Sequence, residues 1–320
     1  MRRLLAIFLV WCASPAFADY PDRTIKIVVP FAPGGTVDVS ARIIADHLSK
    51  VWKQPVIVEN RVGAGQTIGT NFVAKSAPDG YTLLLALESM AVSPSVYARL
   101  PYDPVRDFEP VSLINRTEWL MVASPSLPAK NMPQLIEHAR QNPGKLNFGS
   151  TGLGGSAHLS TEAFLHTHNL TMTHVPYQGG APALMAMLGG QVDILLSVGT
   201  LAAPQVKSGA LRALAMTGPV RASAFPDLPT MKDQGVAGFD LGDWTAMFAP
   251  KGTPREIVAR VNAEVSKVVA SSRSTGPDGK FYIQDFQVPE SSTPEEMVKI
   301  LQRDVQKWHD ITKAIGFEAQ

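Results

Sequence analysis

Pro30-Phe31-Ala32-Pro33-Gly34-Gly35-Thr36-Val37-Asp38 follows the apolar run at residues 25–29 and precedes residues at helical spacing. A second stretch of the same kind, Gly149-Ser150-Thr151-Gly152-Leu153-Gly154-Gly155-Ser156, follows residues 146–148 and opens another helical pattern. Each reads as a strand handing over to a helix through glycines. A helix N-terminus leaves backbone N–H groups without intrahelical acceptors and carries the positive end of the helix dipole. It holds an anion with no charged side chain. Two such ends far apart in sequence, with no nucleophile–base pair beside either, describe a receptor for a small anion held between two lobes.

Outward from these loops, residues 24–31 read as a strand with Ile25, Ile27 and Val29 on one face. Residues 37–52 place Ala41, Ile44, Ala45, Leu48 and Val51 at helical spacing, with Thr36 as N-cap. Residues 55–58 are expected as a strand, 67–75 as a short helix, and the apolar run 81–87 as a buried parallel strand. After Pro101 and Pro104 the rhythm changes, and 111–114 and 119–123 read as strands crossing between lobes. A second series follows: strands at 146–150, 172–177, 192–197 and 211–216, with helices from about Ser156, from about Ala181 and over 202–207. Residues 239–249 resemble a second crossing strand.

Asn131-Met132-Pro133-Gln134, Thr253-Pro254-Arg255-Glu256 and Thr293-Pro294-Glu295-Glu296 have the form of capping boxes with proline in the first turn. The last opens a helix with Met297, Ile300, Leu301, Trp308, Ile311 and Ile315 on one stripe. Residues 271–279 read as a flexible surface loop. The alternation of strands and helices predicts an α/β protein of two lobes: 19–120 with 246–320, and 121–245. Ligands of open α/β sheets bind beyond the carboxyl ends of the strands, and clefts between domains are favoured sites. Both glycine loops lie at such ends.

Arg2 and Arg3, an apolar core over 4–10 and Ala16-Phe17-Ala18 form a secretory signal peptide over 1–18, cleaved near Ala18. The expected location is the periplasm. Cys12, the single cysteine, leaves with that segment, and Trp11 before it argues against a lipidated terminus. Without Arg2 and Arg3 the formal net charge falls from +1 to −1, which gives no electrostatic footprint for nucleic acid.

Several chemistries are excluded by spacing. Gly152-Leu153-Gly154-Gly155-Ser156-Ala157 fits a dinucleotide fingerprint, but the following strand ends in Tyr177-Gln178-Gly179 with no acid for the ribose. His158, His166, His168 and His174 have no cysteine or H-E-x-x-H beside them, so no metal site is expected. Gly149-Ser150-Thr151-Gly152 lacks the spacing of a nucleophile elbow. No cofactor is expected, and no enzymatic activity.

The chain resembles the solute receptors of the tripartite tricarboxylate transporter group, the Bug receptors. Matching blocks run nearly end to end. They include Ile27-Val28-Val29-Pro30-Phe31, Pro33-Gly34-Gly35 with Asp38, Val58-Glu59-Asn60-Arg61, Ala77-Pro78-Asp79-Gly80-Tyr81-Thr82 and Leu100-Pro101-Tyr102-Asp103-Pro104. In the second half stand His174-Val175-Pro176-Tyr177, Gly189-Gly190-Gln191-Val192-Asp193, Pro226-Asp227-Leu228-Pro229-Thr230 and Gly252-Thr253-Pro254. The resemblance implies a type II periplasmic-binding-protein fold with two crossover strands, monomeric, closing over a small carboxylate and docking on membrane permease subunits. It maps carboxylate contacts onto Phe31, Pro33, Gly34, Gly35, Thr36 and Asp38, and onto Ser150, Thr151, Gly152, Gly154 and Ser156.

Other candidates have a bland reading beside the functional one. Asp38 either complements the helix dipole or orients the loop. His158 faces the cleft or is a satisfied structural histidine, Tyr177 sits at a strand end, and Trp244 lines the pocket or packs in the core. Glu88-Ser89 and Ser197 depart from the family's usual residues and leave the ligand open: a mono- or dicarboxylate, aromatic acid or amino acid. Glu88 in the cleft repels a second carboxylate; in solvent it means nothing. A sensor feeding a membrane signalling protein and a secreted enzyme are the rival readings.

Overall fold

In the computed structural model, which describes residues 20–218, 224–236, 242–272 and 286–320, the first apolar run forms β1 (Ile25–Val29). The expected signal peptide, residues 239–241 of the second crossing and all but the first two residues of the expected loop 271–279 lie outside these residues. After β1 come α1 (Thr36–Trp52), β2 (Val56–Asn60), α2 (Thr67–Ala74), β3 (Thr82–Leu87) and α3 (Ser89–Val96). β1 lies between β2 and β3 and parallel to both, with Ile27 opposite Val58 and Leu83. Its side chains alternate as a strand requires: Ile25, Ile27 and Val29 join Ile44, Leu48 and Leu85 on one face, while Val28 joins Leu84 and Met90 on the other.

The chain leaves this sheet at Glu118, between β4 (Phe108–Thr117) and β5 (Trp119–Ala123). The second series holds α4 (Met132–Gln141), β6 (Asn147–Ser150), α5 (Ser156–His168), β7 (Thr173–Pro176), α6 (Gly180–Leu188), β8 (Ile194–Val198), α7 (Gly199–Lys207) and β9 (Arg212–Met216). Its sheet runs β7-β6-β8-β5-β9, with β6 parallel to β7 and β8, and β5 antiparallel to β8 and β9. β10 (Asp243–Pro250) returns to the first sheet, antiparallel between β3 and β4. With α8 (Arg255–Ser272), β11 (Gln287–Pro289) and α9 (Pro294–Ala314) completing that side, the first sheet reads β11-β4-β10-β3-β1-β2. This is the two-lobed α/β fold of periplasmic binding proteins. All of β10, from Asp243 on, belongs to the first sheet.

Local signals held unevenly. Asn131 caps α4 by accepting the Gln134 N–H at 2.9 Å, and Thr293 and Glu296 form the reciprocal box that opens α9. Thr36 does not cap α1; Gly35 holds that position, and the Asp38 carboxylate one turn inside accepts the Gly34 N–H at 2.9 Å. α3 was not expected. It contains Pro94 and shows no apolar stripe, and it is held by Met90, Ala91 and Val92 packing in a cluster with Leu301 and Trp308 of α9.

Gly199, which begins α7, leaves no room for a side chain: an added Cβ would stand 2.0 Å from the buried Phe286 ring. Gly199→Ala is expected to destabilise by about 1–3 kcal/mol through overpacking, a fall of roughly 2–10 °C in Tm. An unchanged melting curve would show that this ring does not close over α7.

Candidate functional site in the cleft between the sheets

The second glycine loop is built on a rigid footing. Gly152 (φ +141°) and Gly154 (φ +72°) adopt left-handed backbone that side-chain-bearing residues disfavour, which turns the chain from β6 into α5. Gly155 is the N-cap, and its N–H bonds the Gly152 carbonyl at 3.3 Å. The Gly154 N–H donates to Nδ1 of His158 at 3.1 Å. His158 stacks on His174 at 3.8 Å between ring centroids, and His174 on Phe148 at 4.8 Å. Burial, then the neighbouring His158, pushes His174 down to about 4, so it is neutral near pH 7. Its Nε2 lies 2.7 Å from the Ser150 hydroxyl, which donates to the Gly152 carbonyl at 3.1 Å. The free N–H groups of the first turn of α5 are thereby fixed in place above this stack.

Thr151, Gly155 and Ser156 of that loop and Ser89 at the start of α3 line two adjoining cavities of ≈ 220 Å³ and ≈ 250 Å³. The first is completed by Trp119, Gly180, Ser197, Leu201 and Asp243. The second takes in Gly65, Ser93, Tyr97, Gly152, Gly154 and Phe317. Among the described residues six hydroxyl-bearing side chains, Ser89, Ser93, Tyr97, Thr151, Ser156 and Ser197, thus line the cleft together with apolar walls and one acidic side chain, Asp243. Among the described residues no lysine, arginine or histidine lines either cavity. A larger hollow of ≈ 490 Å³ beside β9 holds none of the expected residues, and its Arg212 guanidinium is taken up by the Leu127 and Ala129 carbonyls.

Of the residues singled out in the sequence, the cleft brings together Ser89, Thr151, Gly152, Gly154, Ser156 and Ser197. Phe31, Pro33, Gly34, Gly35 and Thr36 line neither cavity; the last four are exposed at the start of α1 and Phe31 is half-buried. Asp38 lies beneath them and orients the loop: besides Gly34 it accepts from Arg42 and Asn60, each at 2.9 Å. The Arg42 guanidinium foremost pulls its carboxyl down to about 2.

Five residues expected at the ligand are placed elsewhere by packing. Glu88 faces neither solvent nor ligand: it is 2% exposed and accepts from Lys307 Nζ at 2.9 Å and Trp308 Nε1 at 3.0 Å. Trp244 is a core residue whose indole N–H donates to Asp304 at 2.8 Å. His158 and Ser150 are spent holding the loop from behind, as described above. Tyr177 also stands apart, its hydroxyl 3.4 Å from Gln191 Oε1 and its ring against the apolar cluster of β8 and α6. Sequence reasoning missed Trp119 and Asp243. The signal for Asp243 was present: in a strand, neighbours point to opposite faces, so a core Trp244 sends Asp243 the other way. Asp243 Oδ1 accepts the Glu88 N–H at 3.0 Å. Burial first, and then the Glu88 charge, pushes its carboxyl up to about 8.

A two-lobed α/β protein with a helix N-terminus over a hydroxyl-lined cleft has the form of a solute-binding receptor. The chain belongs to the tripartite tricarboxylate transporter family receptors: that family matches residues 40–317. It is 35% identical to protein BugT of Bordetella pertussis over 99% of this chain and 98% of the relative. An R. palustris protein determined with adipate is 34% identical and superposes with a TM-score of 0.79 over 94% of this chain and 100% of its own. MatC from Rhodopseudomonas palustris, with bound malate, is 32% identical, with a TM-score of 0.74 over 91% of this chain and 99% of its own. Members of this family are receptors, not enzymes.

The Glu88–Lys307 pair generates a pH-dependent expectation. Burial raises the Glu88 carboxyl, opposed chiefly by Lys307. Lys307→Met leaves that charge buried without its cation, a change that costs about 3–5 kcal/mol in such pairs. The folded carboxyl then titrates still higher than in the unfolded chain, so the folded state binds the extra proton and stability falls as pH rises. Denaturant unfolding should therefore show a larger deficit at pH 8 than at pH 5. An equal deficit at both would mean that Glu88 is not charged in the folded protein.

Proposed function

We propose that this chain is a periplasmic receptor that captures a small organic carboxylate between its lobes and delivers it to a membrane transporter of the tripartite tricarboxylate type. The observation that carries the reading is the start of α5, whose unsatisfied N–H groups and flanking hydroxyls face a cleft lined by no basic side chain among the described residues. Adipate and malate in the related structures supply the chemical class. The signal-peptide pattern over 1–18 supports the compartment, and membership of the receptor family supports the transporter as partner.

Binding would proceed by closure of the lobes about the junction of β4 and β5. Closure removes water and strengthens the hydrogen bonds to the carboxylate. The exposed N–H groups of Gly35 and Thr36 and the Thr36 hydroxyl, on a loop that Asp38 steadies through the Gly34 N–H, are assigned as the first lobe's donors in that closed form. Micromolar affinity corresponds to about −8 kcal/mol.

Small carboxylates are expected to raise the Tm with the logarithm of ligand over Kd, reaching about 2.7 kcal/mol of stabilisation at 100 times Kd. Gly152→Ala, which forces a side chain onto the left-handed backbone of the loop, should weaken binding at least tenfold while the unliganded protein still melts cooperatively. A broad panel of carboxylates that leaves the Tm unmoved overturns the reading.

A further inference from the structure

The cleft presents a carboxyl with which no described cation of the protein forms an ion pair. Asp243 lines the ≈ 220 Å³ cavity together with Ser89, Thr151, Ser156 and Ser197. Its hydrogen-bond donors are the backbone N–H groups of Glu88 and Trp244, and among the described residues no lysine, arginine or histidine forms an ion pair with it. Among the described residues, the charges nearest to it on α3 and α9 pair with one another. Glu88, at the head of α3, binds Lys307 of α9 at 2.9 Å. Lys307 also lies 3.7 Å from Asp304, which Arg303 approaches at 2.9 Å. Three carboxylates therefore share two cations, both on α9. β5, β8 and the α5 loop present no charged side chain to the cavity. Trp119, which lines the same cavity, is 7% exposed, and its buried indole N–H has no acceptor among the described residues.

We propose that the guest of this cleft is a zwitterion: a carboxylate at the start of α5 and an ammonium group accepted by Asp243. The inference rests on the receptor reading above and names its substrate class. A second carboxylate, as in adipate, would add a further negative charge beside Asp243 and Glu88 at close range in a site of restricted solvent. An ammonium group supplies the missing cation instead. The raised carboxyl of Asp243 fits the same balance: a proton occupies the place of the ammonium when the cleft is empty, and a zwitterionic guest displaces it.

The test is isothermal titration of the full mature protein with α-amino acids, ω-amino acids, monocarboxylates and α,ω-dicarboxylates of three to eight carbons, at pH 6 and pH 8. The expected result is that an amino acid binds at least tenfold more tightly than the mono- and dicarboxylate of equal length. Its affinity should rise from pH 6 to pH 8, because Asp243 must lose its proton. Asp243→Asn should abolish both the preference and the pH dependence while retaining binding of the monocarboxylate. A dicarboxylate that binds the wild type as tightly as the amino acid, or a preference unchanged in Asp243→Asn, overturns the proposal and leaves the receptor reading standing. No binding by any acid in either protein overturns both.

Discussion

The buried pair of Glu88 and Lys307 joins the parts of the molecule that form the cleft. Glu88 ends β3 and begins α3, and its N–H is shared by the Trp244 carbonyl and the Asp243 carboxylate, each at 3.0 Å. Its own carboxylate reaches Lys307 and Trp308 on α9, while Trp244 of β10 reaches Asp304 on the same helix. One residue thereby ties a strand end, an incoming helix, a returning strand and the C-terminal helix. Such a pair adds little net stability over an apolar replacement, since desolvation offsets attraction. Its consequence here is positional: it fixes Ser89 and Asp243 at the mouth of the cleft.

The two glycine loops carry the same chemistry into different surroundings. In the first, an aspartate inside the helix holds the loop from below and is kept ionised by Arg42 and Asn60. In the second, the same role falls to a stacked histidine pair, neutral at His174, with a serine between ring and backbone. Neither arrangement places a cation at the ligand. Asp38 and Asp243 make the contrast explicit: the same side chain is drawn down by a guanidinium partner and pushed up where burial and a like charge prevail.

The strands and long helices, both glycine loops and the capping of α4 and α9 were legible in the sequence because each rests on interactions within a few residues. Hydrophobic spacing and turn chemistry are local, and the structure places these elements within two or three residues of the expected bounds at most ends. α3 was not legible, since a short helix carrying Pro94 is made by packing against α9, a partner about 200 residues away in sequence.

The candidate site divides in the same way. The sequence by itself determined that a helix start rich in glycine and hydroxyls, Thr151 to Ser156, would present N–H groups to an anion, because that property belongs to the backbone of one segment. Which side chains share the cleft was decided by the tertiary structure alone. Glu88 and Trp244 turned inward because α9 offers Lys307, Trp308 and Asp304 to satisfy them. Asp243, one residue from Trp244, was left facing the cavity by the alternation of β10. A buried charge takes its direction from where its partner lies, and no local pattern contains that partner.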